Sequence, residues 1–380
     1  MDNQPEVKPV ASSRSRWLLL GGGVIGVAIV AAGLIGVATR FGRSAATPAP
    51  GFVLRDQQGR VTSLAQFRGK VVLLTFIDPE CTEICPLTTQ SMAEALKLLG
   101  PAAASNVELL GININTAKGT VADVAGYTRT HELPEQWRFL TGSSAQLEPV
   151  WHSYHVYVAT KGDDILHDTA VFVIDRNGNE RNVHSTDMSY QAVGDEARTL
   201  AQDVAKLLPG SLGILASSQD AQAQQKPLQP DETFRLRAVG SKPEPVVLGA
   251  VHPHLVVFFA GWLAHGTELS DHLSTLDSYA VVAQRRAWPS PVAVDELTTE
   301  PSVTGARRTL VPLATTLHTP IVEDANGRLA DGYHVGDLPW FVLNSASGKV
   351  LWTHTGWLSA AALERQLSSV LSRSDKSSTL

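Results

Sequence analysis

The sequence predicts an α/β chain: an N-terminal transmembrane helix followed by two domains built on one repeated plan. Three observations carry this reading. Leu18 to Ala38 contains no charged residue, and the stretch 211–230 is dominated by Ser, Gln, Asp and Ala. On both sides of that stretch, apolar runs of strand length alternate with segments of helical period. With 380 residues, 43% hydrophobic and 18% charged, the chain has material for two globular domains. Its net charge is −6 and no dense Lys/Arg cluster follows the apolar span, which argues against a nucleic-acid partner.

Taken as a helix, Leu18 to Ala38 spans about 31 Å, the thickness of a bilayer's hydrocarbon core. Trp17 stands at its end as an interfacial anchor. A cleavable signal has a shorter apolar core, so 17–39 is expected to be a retained signal-anchor with a cytoplasmic tail at 1–16. Ser44-Ala45-Ala46 leaves cleavage open. Lys8, Arg14 and Arg16 precede the span while Arg40 and Arg43 follow it, so charge alone orients it weakly. Both cysteines lie in the soluble part, which places the bulk of the chain on the periplasmic side of the inner membrane. Gly21, Gly23 and Gly26 match a dinucleotide-binding pattern, but inside an apolar span and with Arg40 and Arg43 where an acid is needed. Gly22 and Gly26 form a small-residue pair that could join two such helices as a weak dimer.

In the first domain, 49–210, Lys70 to Phe76 is a buried strand and Leu87 to Leu99 a helix closed by Gly100-Pro101. Val107 to Ile114 and Thr169 to Ile174 are further strands, the latter closed by the turn Asp175-Arg176-Asn177-Gly178. The stretch 211–230 is the linker. In the second domain, 231–373, His254 to Phe259 and Leu338 to Leu343 are strands. Lys349 to His354 is a hairpin partner and Leu358 to Leu371 a closing helix. The tail beyond Ser372 is expected to fray.

The chemistry concentrates in Cys81-Thr82-Glu83-Ile84-Cys85-Pro86, between a strand and a helix. These are the chain's two cysteines. If Cys85 opens the helix, both sulfurs meet near its N-terminus, where amide donors and the helix dipole should lower both thiol pKa values. Pro86 fits the first turn because it needs no hydrogen-bond acceptor. Two cysteines packed in a core, or a structural disulfide, are the bland alternatives. Zinc would need further Cys or His pairs, whereas two thiolates suit Cu(I) and an added imidazole accommodates Cu(II). Of the 12 histidines, His167 is the leading third ligand because it stands at the start of a strand beside the thiol-bearing helix. His152 and His155 are rivals, and His184 lies past the far turn.

On Cys81, Cys85, Pro86 and His167, with Gly59 to Leu64, Trp137 to Gly142 and Tyr154 to Val156, the chain resembles the Sco/SenC family. Those proteins are thioredoxin-like copper chaperones of cytochrome c oxidase assembly. The resemblance covers the anchor and 49–210. It implies a redox-active Cys81/Cys85 pair and a copper site of Cys81, Cys85 and His167. Thr82 replaces the usual Pro, and Leu166 replaces the Asp before the histidine, with Asp168 following instead. The second domain resembles the TlpA/thioredoxin type. Ala260-Gly261-Trp262 is similar to the residues before its CxxC and Pro339 to its cis-proline, but Leu263 and Gly266 stand in the cysteine positions. That domain should lack thiol chemistry and either dock a partner or brace the first.

The function expected is a copper-binding, thiol-redox assembly factor. It would deliver copper or electrons to the dinuclear copper site of a respiratory oxidase, its partner being that copper-site subunit or another copper or thiol carrier. The alternatives are a metal-free thiol–disulfide oxidoreductase and a redox or copper sensor.

Overall fold

The computed structural model describes residues 47–161, 164–210, 232–240, 245–249, 253–264, 268–345 and 349–377. The predicted signal-anchor 17–39 and the whole of the linker 211–230 lie outside the described residues, as do His265 and Gly266. Among the described residues no helix is long and apolar enough to cross a membrane.

The N-terminal lobe opens with a short hairpin, β1 (Val53–Arg55) and β2 (Val61–Ser63). It continues through β3 (Val71–Ile77), α1 (Ile84–Ala104), β4 (Val107–Asn113), α2 (Val121–Thr130), β5 (Trp137–Leu140) and α3 (Ser144–Ser153). A second hairpin, β6 (Val158–Lys161) with β7 (Asp164–His167), leads into β8 (Ala170–Ile174), β9 (Asn179–Ser185) and α4 (Ala192–Leu207). Neighbours across the sheet run β9, β8, β3, β4, β5. The pairs β3/β4 and β4/β5 are parallel, and β8 is antiparallel to β3 and to β9. Every residue of β3 and β4 is buried, as expected of central strands covered on both faces. Alternate side chains feed two cores: Val71 and Leu73 into one, Val72, Leu74 and Phe76 into the other. Each such side chain contributes about 1.5–3 kcal/mol of burial.

The C-terminal lobe repeats this frame. Its elements are β10 (Thr233–Ala238), β11 (Val246–Gly249), β12 (His254–Phe259), α5 (Glu268–Arg286), β13 (Ser290–Glu296), α6 (Val303–Thr316), β14 (Ile321–Asp324), α7 (Arg328–Gly332), β15 (Trp340–Asn344), β16 (Val350–Thr355) and α8 (Ala360–Ser377). The sheet order is β11, β10, β14, β13, β12, β15, β16. Strands β12, β13 and β14 are parallel, and β15 is antiparallel to β12 and β16. The order β14-β13-β12-β15-β16 thus repeats β5-β4-β3-β8-β9 in direction as well as in sequence. α8 continues to Ser377, beyond the expected end at Leu371.

The lobes belong to one compact unit. Leu87, Tyr190 and Val193 of the first lie in a single buried apolar cluster with Leu329, Tyr333 and Leu338 of the second.

Candidate functional site

The buried strand β3 delivers the chain to Asp78, and a turn follows before α1. Asp78 organises that turn. Its carbonyl accepts from Cys81 N at 3.2 Å and its carboxylate from Glu80 N at 2.9 Å. Asn115 Nδ2 donates to both carboxylate oxygens, at 3.0 and 3.1 Å, tying the turn to the segment after β4. Cys81 lies on the turn and is half-buried; Cys85 lies in the first turn of α1 and is fully buried. Pro86 takes its place in that helical turn, as expected. Behind the thiols, Thr89 Oγ1 donates to the Cys85 carbonyl at 3.0 Å and meets the buried Tyr127 hydroxyl at 3.1 Å.

The two thiols are not equivalent, which corrects the expectation that both pKa values fall. Cys81 is lowered, chiefly by a hydrogen bond from the Cys85 thiol, with the backbone of Cys85 and Glu83 adding to it against the cost of burial. Cys85 is pushed well up by burial, and by donating to Cys81. Helix position alone favours both thiolates, but full burial of the inner sulfur overrides it. The outer thiol therefore ionises more readily than the inner one that backs it.

His167 comes to this pair, though not from the start of a strand. It ends β7, and β8 begins only at Ala170. Its Nε2 lies 4.0 Å from Cys85 Sγ. Its Nδ1 lies 3.0 Å from the Asp168 carbonyl, which can only accept, so Nδ1 carries the proton and Nε2 presents a lone pair toward the sulfur. Burial holds the imidazole below its usual pKa, in the neutral form a metal requires. Asp168 supports the ring through its backbone. Its side chain accepts from Tyr157 N at 2.9 Å while its own N–H donates to the Tyr157 carbonyl at 3.1 Å, closing the corner that carries the histidine. His152 and His155 are exposed, and His184 pairs with Asp203 at 2.9 Å.

Among the described residues no three His, Cys, Asp or Glu side chains already stand in a metal-holding cluster. The preformed part is the Cys85–His167 pair, with Cys81 on the adjoining turn. Two soft sulfurs and one neutral imidazole nitrogen are a donor set that fits copper.

Sequence reading missed Asp78, Asn115 and Tyr127 around the thiols and Asp337 from the other lobe, and it singled out Trp262 only for its own domain. Asp78 could have been suspected from its place just after a buried strand. In the C-terminal lobe, Leu263 stands in a short 3-10 turn where a cysteine was sought, Trp262 is buried, and Leu338–Pro339 is cis. Gly266, the other residue standing in a cysteine position, is outside the described residues.

A family model described as SCO1/SenC matches residues 42–206. The mitochondrial SCO2 homologue of Bos taurus is 30% identical over 163 residues, which cover 41% of this chain and 60% of that protein. The SCO1 homologue of Bacillus subtilis is 26% identical over 132 residues, 33% of this chain and 68% of that one. Among solved structures, copper-bound ScoI of Bradyrhizobium japonicum aligns with a TM-score of 0.37 and 23% identity, covering 43% of this chain and all (100%) of that one. Apo Sco1 of Thermus thermophilus aligns at 0.36 and 25%, covering 43% and 92%. The chain thus spans about three-fifths of the length of the bovine relative, and the family match ends before the C-terminal lobe begins.

Proposed function

We propose, because a family model described as SCO1/SenC matches residues 42–206, that this chain binds copper through Cys81, Cys85 and His167. In this reading it serves assembly of a respiratory cytochrome oxidase, passing copper or electrons to the cysteine-bearing dinuclear copper site of the oxidase subunit. The observation that carries the reading is the neutral imidazole whose Nε2 faces Cys85 Sγ at 4.0 Å while its Nδ1–H is held by a carbonyl. A histidine oriented in this way is prepared to be a ligand. The uncharged span Leu18 to Ala38 supports placement on the outer face of the inner membrane.

Copper titration of the reduced chain tests the site. One equivalent should bind, Cys81→Ser or Cys85→Ser should abolish tight binding, and His167→Ala should weaken it beyond the ~10–100-fold that loss of an outer-shell partner costs. An unchanged Cu(II)–thiolate absorption band in His167→Ala would remove that ligand. A membrane-impermeant maleimide tests the topology, since it should label reduced intact spheroplasts.

The division between a half-buried outer thiol whose pKa is lowered and a buried inner thiol whose pKa is raised favours a second reading, a thiol–disulfide oxidoreductase. A reduced chain that retains no copper but reduces partner disulfides would establish it.

A further inference from the structure

The C-terminal lobe meets the N-terminal lobe at the dithiol. Thr82, between the two cysteines, donates from Oγ1 to Asp337 Oδ1 at 2.6 Å. Asp337 is fixed from its own lobe: Leu338 N donates to the same oxygen at 2.7 Å and Thr355 Oγ1 to the other at 3.0 Å. It immediately precedes the cis Leu338–Pro339 bond. On the other flank the Trp262 ring lies 4.6 Å from His131, which lies 4.1 Å from Tyr127 behind the thiols. Trp262 is held by its Nε1 donating to Thr299 Oγ1 at 3.2 Å, and its turn by Gly261 N donating to Glu300. Trp262 and Leu263 share with Pro79, Cys81, Thr82 and His131 the walls of a cleft of about 370 Å³.

The geometry of this contact is specific. Cys81 follows the carboxyl end of β3, and Trp262 follows the carboxyl end of β12, the matching strand of the other lobe. A lobe retained only for packing could bury any face. This one presents the turn where thiols would stand in an active relative, and its cis-proline loop, to the working turn of its neighbour.

We propose that the C-terminal lobe is a built-in wall of the dithiol site. Asp337 is the positioning residue for the segment between the cysteines, and Trp262 narrows the approach to Cys81, so that only a slender group reaches that sulfur. The proposal deepens the reading above and rests on Cys81 and Cys85 being the working pair. It assigns to Sco-type chemistry in this chain a size filter that residues 42–206 alone do not contain. A partner then has to offer its thiol or its metal ligand on an extended segment rather than on a folded face.

The test is alkylation of the full, metal-free, reduced chain carrying Cys85→Ser, so that Cys81 is the one thiol present. Iodoacetamide and a polyethylene-glycol maleimide of several kilodaltons are compared at one pH. Trp262→Ala should raise the bulky reagent's rate severalfold and leave the iodoacetamide rate unchanged, while Trp262→Phe should behave as the parent. Asp337→Ala and Thr82→Val should each raise the bulky rate by about tenfold, the weight of one good hydrogen bond. Their combination should add nothing further, since both remove the same bond. Asp337→Asn keeps the acceptor oxygen and should restore the parent rate. Melting curves identify any variant that fails to fold, and Thr82→Val, a near-isosteric change on a half-buried turn, carries the test if Asp337→Ala does. Equal gains for both reagents, additive effects of Asp337→Ala and Thr82→Val, or rates untouched by all of these would overturn the proposal. No step uses copper, so failure of the copper titration leaves this outcome separately readable.

Discussion

At the scale of single residues, the site divides labour between two thiols that sequence treats alike. Cys81 gains from hydrogen-bond donors around its sulfur, whereas Cys85 points into the core with 0% exposure. One equivalent of iodoacetamide at neutral pH should therefore modify Cys81 in preference to Cys85, because the thiolate is the nucleophile and the inner sulfur is both buried and harder to ionise. Peptide mass spectrometry reads the ratio, and equal labelling would contradict it. A second prediction concerns Asp168. The His167 ring is held by the Asp168 carbonyl, not its carboxylate, so Asp168→Asn should leave copper affinity nearly unchanged, well short of the ~10–100-fold loss expected for a true outer-shell carboxylate. The ligand candidates were legible because Cys and His carry metal and redox chemistry wherever they stand. The residues that shape the site were not. Thr82 meets Asp337 across a separation of 255 residues, and no local pattern announces such a pair.

At the scale of elements, the sequence announces what local physics decides. Continuous apolar runs became β3, β4, β12 and β15 with edges shifted by a residue or two. Gly100, at φ 75°, breaks the first helix where Gly100-Pro101 was expected to end it, although one more turn follows. The hairpin β6–β7 was missed, so His167 was placed on the wrong strand. Strands β10 and β11 were also missed, because their burial alternates and they pair at a sheet edge. Least legible is the cap of α4. Gln191, at its N-cap, makes no side-chain capping bond. The buried Asp331 of α7 accepts instead from Tyr190 N at 2.8 Å, Gln191 N at 3.1 Å, Gln191 Nε2 at 2.9 Å and Ser189 Oγ at 2.8 Å. A carboxylate there satisfies orphan amides and complements the helix dipole. Asp331→Ala should lower stability by about 2–4 kcal/mol, because buried donors are left unpaired, and Asp331→Asn by less. Gly327→Ala should be at least as damaging. A Cβ there would stand 2.3 Å from Tyr190 Cβ, on a backbone with φ +70°. Urea denaturation midpoints check the series, and an Asp331→Ala protein as stable as the parent would refute the shared cap.

At the scale of the whole molecule, the two lobes are read from sequence as separable, yet they share a core and a site wall, and this makes their joint stability depend on pH. His131 sits between Tyr127 and Trp262, and burial alone pushes its pKa down to about 3. In the unfolded chain it titrates near 6.5. The folded value is the lower one, so below 6.5 the unfolded state binds the proton and the folded state does not. Stability linked to this group is therefore fully present above about pH 6.5 and is lost as pH falls toward 3, amounting to about 2 kcal/mol at pH 5. Other buried groups act in the opposite sense. Burial raises Glu196 to about 7 and raises Asp295 and Glu296 well above the carboxylate range, so acid favours their folded forms. The bare pH profile of the chain mixes these contributions, and the informative quantity is a difference between two proteins. His131→Gln keeps a polar side chain of similar size and cannot titrate. The unfolding free energy of the parent minus that of His131→Gln should fall by about 2 kcal/mol between pH 7.5 and pH 5, because the carboxylates are common to both and cancel. Opening the contact from the other lobe gives the second arm: Trp262→Ala should expose the imidazole and move its NMR titration upward toward 6.5. A difference that stays level with pH, or a His131 titration untouched by Trp262→Ala, would mean that the C-terminal lobe does not control the protonation of this histidine.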